Sequence, residues 1–147
     1  RVVPLPIVAN HDGMTTVFPP SKTVQDLFGH LGKVVPIETI ETFNAFVVAS
    51  TTMGLYFDTL ETMAQWLGTK GADYTSARTY LSALNYGLAQ TAITQPEIGF
   101  AQLRQDHSTP QGLNQHVAEQ FRANGGHDAV LAAFESVEKY MQKLSET

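Results

Sequence analysis

The sequence contains no cysteine in its 147 residues. Disulfide bonds, thiolate metal ligands and a cysteine nucleophile are therefore excluded, and the composition is compatible with the cytoplasmic location that we expect. Five histidines are scattered over different segments, and no H-x-x-x-H motif occurs. We therefore predict no metal site.

Basic residues are also scarce. Nine Lys and Arg stand against fourteen Asp and Glu, giving a net charge of −5, and the nine do not cluster. This pattern argues against a nucleic-acid partner, which needs concentrated positive charge. Because no apolar run reaches about 18 residues, we also expect no membrane span. With 43% apolar and only 16% charged residues, part of the surface is expected to be covered by a partner.

Phosphate-binding loops are missing as well. Neither G-x-G-x-x-G nor G-x-x-x-x-G-K-[ST] occurs, so we predict that this chain binds no dinucleotide through such a loop. The hydroxyl cluster Ser50-Thr51-Thr52 lacks the G-x-S-x-G frame of a nucleophile. Tight packing between helices explains these small hydroxyl residues as well as a functional role does.

The first 37 residues are rich in β-branched residues and proline, which predicts short strands. The predicted strands cover residues 2–9, 14–18 and 33–37, with the turn His11-Asp12-Gly13 after the first and a helix over residues 21–30 before the last. Such a β-β-α-β segment buries little apolar surface by itself, and the sequence opens at Arg1 rather than Met. We therefore expect the chain to be a piece of a longer protein.

From Thr39 the apolar period becomes helical, which predicts a mainly α fold. The predicted helices cover residues 39–67, 73–92, 97–104, 108–124 and 128–144. The fourth would begin at Ser108-Thr109-Pro110, with Gly112 in its first turn. A glycine there costs about 1 kcal/mol relative to alanine, but it allows close approach to N–H groups that attract a carboxylate. We predict a ligand-facing role; an ordinary helix cap is the alternative.

The order of these features resembles the later part of the pyrroline-5-carboxylate reductase family. The family patterns R-x-M-P-N-T-P…G-x-G-x-T, L-F-x-x-L-G, S-G-S-G-P-A-Y and S-P-G-G-T-T match, in order, Arg1-Val2-Val3-Pro4-Leu5-Pro6 with His11-Asp12-Gly13-Met14-Thr15, Leu27-Phe28-Gly29-His30-Leu31-Gly32, Ser50-Thr51-Thr52-Met53-Gly54-Leu55-Tyr56 and Thr109-Pro110-Gln111-Gly112-Leu113-Asn114. The resemblance covers nearly the whole chain.

The resemblance implies two domains. Residues 1–38 would be the end of a Rossmann-type nucleotide-binding domain, and residues 39–147 an all-helical domain for dimerisation and substrate binding. It implies a homodimer with interlocked helices, an isologous arrangement. NAD or NADP would be held by the full-length protein, with Pro4 in the neighbourhood of the cofactor, and this fragment alone would bind none.

The resemblance also implies substrate-binding residues. The hydroxyls of Ser50, Thr52 and Thr109, with the N–H groups around Gly112, would hold a carboxylate. Asn114 replaces a threonine of the family motif and would contact the rest of the substrate with a side chain that both donates and accepts. No catalytic residue is assigned, although His107 and His116 are candidate proton donors.

The departures from the family motifs, among them Asn114 in place of a threonine, favour a substrate that is related to the family's cyclic imine but not identical with it. The expected function of the full-length parent is hydride transfer from NAD(P)H to a small imine, keto or amino-acid-like substrate, a chemistry that the cofactor supplies. The fragment alone would be inactive. The alternative is a helical dimerisation or ligand-binding module that has lost reductase activity.

Overall fold

The computed structural model describes residues 1–11 and 13–145. These residues divide into two compact units, Arg1–Met53 with the segment that starts at Ala132, and Gly54–Leu131. Asp12, in the middle of the predicted turn His11-Asp12-Gly13, lies outside the described residues. The prediction of a mainly helical chain with a short β-rich beginning is confirmed.

The first unit contains a three-stranded sheet in the order β1-β2-β3. Strand β1 (Val2–Pro4) pairs antiparallel with β2 (Gly13–Val17), which pairs parallel with β3 (Gly32–Pro36). Helix α1 (Lys22–Gly29) makes the crossover from β2 to β3, and the Ser21 hydroxyl caps it by accepting from the Val24 N–H at 3.5 Å. The predicted β-β-α-β order is therefore confirmed.

The first strand is much shorter than predicted. The chain leaves β1 at Pro4 and forms a 3-10 helix over Pro6–Asn10, in which the Val8 N–H donates to the Leu5 carbonyl at 3.0 Å. Pro6 fixes its own backbone in a conformation suited to the first turn of a helix and removes a ladder donor. The apolar run over residues 2–9 therefore did not produce a strand beyond Pro4.

The core of the first unit joins the central strand to a helix. Val17 is 1% exposed, and Ile37, Phe43 and Val48 are buried. The rings of Phe18 and Phe43 lie 6.0 Å apart and are tilted by 40°, within the range of favourable aromatic pairs. Phe43 and Val48 belong to α2 (Ile40–Ser50), which Thr39 caps.

The single long helix predicted over 39–67 is wrong, because α2 ends at Ser50 and α3 (Thr52–Thr69) follows after Thr51. The Ser50, Thr51 and Thr52 hydroxyls donate to the carbonyls three residues earlier at 2.7, 2.7 and 2.8 Å. Such side-chain bonds compete with the backbone ladder and tighten the turn. The Thr51 N–H accordingly reaches the Val48 carbonyl at 3.0 Å.

In the second unit, α3 continues from Gly54 and packs on α4 (Tyr74–Thr94). Ala64, Ala77 and Leu81 are buried together, with Leu60 and Leu67 beside them. The predicted start of α4 is confirmed, since the Asp73 carboxylate accepts from the Ser76 N–H at 3.0 Å.

The last helices are α5 (Phe100–Asp106), α6 (Leu113–Ala123) and α7 (Gly126–Ser145). Helix α5 begins three residues later than predicted, because Gly99 is its N-cap. Helix α7 matches the prediction to within two residues.

Candidate functional site

The segment between α5 and α6 contains three of the predicted site residues, Thr109, Gly112 and Asn114. Here the predicted helix start is wrong. Gln111 adopts a left-handed conformation with φ of 60°, and Gly112 is the extended N-cap of α6. A left-handed residue interrupts a right-handed helix. Residues 108–111 therefore form a loop, and Gly112 precedes the first turn rather than lying in it.

Gly112 lies against its own loop. A Cβ added to it would be 2.8 Å from the Thr109 carbonyl oxygen and 3.0 Å from the Thr109 hydroxyl. The Gly112 N–H also donates to that carbonyl at 2.8 Å. The close approach that the glycine permits is therefore, in the first place, a contact inside the loop.

The first turn of α6 has the properties of an anion site. Its first backbone bond of helical spacing runs from the His116 N–H to the Gly112 carbonyl. The N–H groups of Leu113, Asn114 and Gln115 have no acceptor among the described residues, no side chain caps the helix, and no acidic residue lies in its first turn. Free N–H groups at a helix start attract a carboxylate or phosphate.

Two side chains near the start of α6, those of Asn114 and Gln115, hold the loop in shape. The Asn114 amide nitrogen donates to the His107 carbonyl at 2.8 Å. The Gln111 N–H donates to Gln115 Oε1 at 2.9 Å, and Gln115 Nε2 donates to Glu119 Oε1 at 2.7 Å. Asn114 therefore ties α6 to the end of α5, and its Oδ1 is left as an acceptor for a ligand.

The two histidines considered as proton donors differ in their contacts. His107 Nδ1 lies 2.8 Å from the Leu103 carbonyl oxygen. Since a carbonyl only accepts, Nδ1 carries the proton, and Nε2 remains for exchange with another group. His116 is exposed on α6. Neither ring contacts a carboxylate among the described residues.

The remaining predicted residues lie in the first unit. Ser50 and Thr52 flank the break between α2 and α3, and each hydroxyl hydrogen is used on a backbone carbonyl. To donate to a carboxylate, either hydroxyl must first leave that carbonyl, which costs about 1 kcal/mol. Pro4 lies on β1 opposite Thr15.

Sequence reasoning missed a groove of about 330 Å³ between α3 and α4. The Tyr74 hydroxyl donates to Glu61 Oε2 at 2.7 Å there, and this bond to the carboxylate raises the pKa of Tyr74. Arg78 lines the same groove. No sequence signal marks this pair, because thirteen residues separate the partners.

The turns that follow strands β2 and β3 contain prolines and an acidic residue. The turn from β2 to α1 contains Pro19 and Pro20, which lack the N–H groups that cradle a pyrophosphate. The turn from β3 to α2 contains Glu38, whose negative charge repels a pyrophosphate.

Across residues 1–11 and 13–145, no three His, Asp or Glu side chains are grouped as metal ligands. Within the same residues, every helix is too short or too polar to cross a membrane.

Solved structures with a similar fold are found among reductases. A pyrroline-5-carboxylate reductase from Coxiella burnetii superposes with a TM-score of 0.85 at 17% identity, over 100% of this chain and 57% of that one. The chain has the fold of this part of a pyrroline-5-carboxylate reductase. A pyrroline carboxylate reductase from Plasmodium falciparum with NADP bound matches at 0.76 and 15% identity, over 95% of this chain and 58% of the other.

A 1-pyrroline-5-carboxylate reductase from Streptococcus pyogenes gives the same TM-score of 0.76 and 15% identity, over 95% and 56% of the two chains. The chain therefore spans somewhat more than half the length of these three reductases. No protein-family model and no curated protein sequence matches it. The resemblance stated from the sequence motifs is thus confirmed at the level of the fold.

Proposed function

We propose that this chain is the substrate-binding and dimerising part of an NAD(P)-dependent reductase. In this proposal residues 1–38 complete a nucleotide-binding domain with Pro4 in the neighbourhood of the cofactor, residues 39–147 form the helical domain, and NAD or NADP is held by the full-length protein. The reaction is hydride transfer to a small imine, keto or amino-acid-like substrate in the cytoplasm. The match of nearly the whole chain to three reductase structures is the observation that carries it.

The substrate carboxylate would bind at the first turn of α6. The free N–H groups of Leu113, Asn114 and Gln115 supply donors, and Thr109 adds a hydroxyl that makes no bond with any described residue. Asn114 Oδ1 would accept from a substrate N–H or O–H. In the first unit, the Ser50 and Thr52 hydroxyls would each donate to a ligand only after leaving their own carbonyls.

The homodimer is part of the same proposal. Large apolar side chains of the second unit are exposed in the single chain, among them Phe57, Trp66, Tyr86, Phe100 and Leu113, with Leu113 at 88%. Apolar surface of this extent on a soluble chain marks contact with another protein. A second copy covering these helices would bury it.

The test is a reductase assay on the full-length protein. We expect oxidation of NADPH or NADH, followed by absorbance, when 1-pyrroline-5-carboxylate, other cyclic imines and small keto acids are offered. Asn114→Ala should lower kcat/KM by about tenfold or more, because it removes the hydrogen bond to the His107 carbonyl and lets the loop shift. Asn85→Ala is the matched control, since Asn85 also donates to a backbone carbonyl, that of Leu81 at 2.9 Å.

A non-catalytic dimerisation or ligand-binding module is the second candidate. It is favoured by the commitment of the Ser50 and Thr52 hydroxyls to backbone carbonyls and by Gln111 in the place of a motif glycine. Binding of small carboxylates by the full-length protein without oxidation of either nucleotide would support this candidate against the reductase.

A further inference from the structure

The groove between α5 and α6 contains an unusual set of charges. It has a volume of about 590 Å³ and is lined by Arg104 of α5 and by Glu119 and Arg122 of α6, with Ser108 and Gln115 beside them. Two of the nine basic residues of an acidic protein therefore line one groove. This groove shares no lining residue with the groove that contains Glu61 and Tyr74.

Neither arginine has a carboxylate partner among residues 1–11 and 13–145, where the one ion pair joins Lys22 to Asp26. The single acidic residue of the groove, Glu119, receives Gln115 Nε2 on its Oε1, so its Oε2 is left to accept from a ligand. The groove thus presents two unpaired guanidinium groups and one carboxylate oxygen. A guanidinium holds a carboxylate through two parallel hydrogen bonds.

We propose that this groove binds a small amino dicarboxylic acid. Each acidic group of the ligand pairs with one arginine, and its ammonium group pairs with Glu119. A simple dicarboxylate satisfies the arginines but is repelled by Glu119, whereas a neutral or monoacidic ligand leaves one guanidinium unpaired. The proposal rests on the charges of the groove and does not depend on the reductase activity.

The experiment is calorimetric titration of the full-length protein with three probes: L-glutamate, glutarate, which lacks the amine, and L-glutamine, which lacks the second acid. We expect L-glutamate to bind most tightly of the three. Arg104→Gln and Arg122→Gln should each weaken it by about tenfold or more, the usual effect of removing one charged hydrogen-bonding partner. Arg78→Gln, an exposed arginine of the α3–α4 groove, is the matched control and should change nothing.

Glu119→Gln tests the role of the negative charge, because glutamine can still accept a hydrogen bond from Gln115 but carries no charge. This variant should weaken L-glutamate and strengthen glutarate. The proposal is overturned if no probe binds saturably, if Arg78→Gln has the same effect as the groove variants, or if Glu119→Gln changes both probes in the same direction.

Discussion

Gly112→Ala tests the geometry of the α5–α6 loop without assuming any activity. The new Cβ would lie 2.8 Å from the Thr109 carbonyl oxygen, about 0.6 Å inside the shortest ordinary contact of 3.4 Å. The nearest obstacle is backbone, so the loop itself must move. Moving it also strains the bond from the Gly112 N–H to that carbonyl.

The expected loss in free energy of unfolding is about 1–3 kcal/mol, the usual cost of overpacking a tight site. Gly99→Ala is the control, because Gly99 is likewise an extended N-cap without a side-chain cap, and a Cβ there meets nothing within 4 Å. Both variants lose the same small capping preference of glycine over alanine. The difference between them therefore isolates the contact with Thr109.

The assay is urea unfolding of both variants followed by circular dichroism, at equal protein concentration. Equal midpoints for Gly112→Ala and Gly99→Ala would refute the close contact inside the loop. In the reductase assay, the same pair should separate further, because a displaced loop misplaces the N–H groups of α6 and about 1 Å of misplacement can cost roughly a hundredfold in rate.

Three further predictions concern the helical unit. Leu81→Ala should cost about 2–4 kcal/mol in urea unfolding, since Leu81 is buried, whereas exposed Leu84→Ala should cost far less. The hydrogen bond from Ser76 lowers the pKa of Asp73 below its ordinary 3.8, so Asp73 stabilises the fold above about pH 4 and loses this effect as pH falls through its folded pKa. The melting-temperature advantage of the native chain over Asp73→Ala should therefore shrink in acid; an advantage independent of pH would contradict this. Trp66→Lys should shift sedimentation towards the monomer and Gln65→Lys should not; identical profiles would remove Trp66 from the proposed dimer surface.

Much of the fold could be predicted because its signals are local. The cap at Asp73 and the apolar stripe of α7 depend only on neighbouring residues, and both are observed. The long helix predicted over residues 39–67 failed where side chains competed with the backbone. There the hydroxyls of Ser50, Thr51 and Thr52 each donate to the carbonyl three residues earlier. The spacing of apolar residues does not indicate such bonds.

The candidate site was less predictable than the fold. The motif marked the position of Gly112, but not the left-handed Gln111 that moves the helix start to Leu113. The groove with Arg104 and Arg122 was missed because those residues belong to different helices and line one groove only in the folded chain. Charge spacing along a chain does not reveal charges that two helices bring together.

The three-stranded sheet has a practical consequence for handling the isolated chain. Strands β1 and β3 are the outer strands, and an outer strand invites pairing with another molecule and hence aggregation. Each of them ends in a proline, Pro4 and Pro36, which has no N–H to offer, and β3 carries Lys33. Short strands that end in proline and carry a lysine resist such growth. Precipitation of purified chain is therefore expected to begin at the exposed helical faces rather than at the sheet.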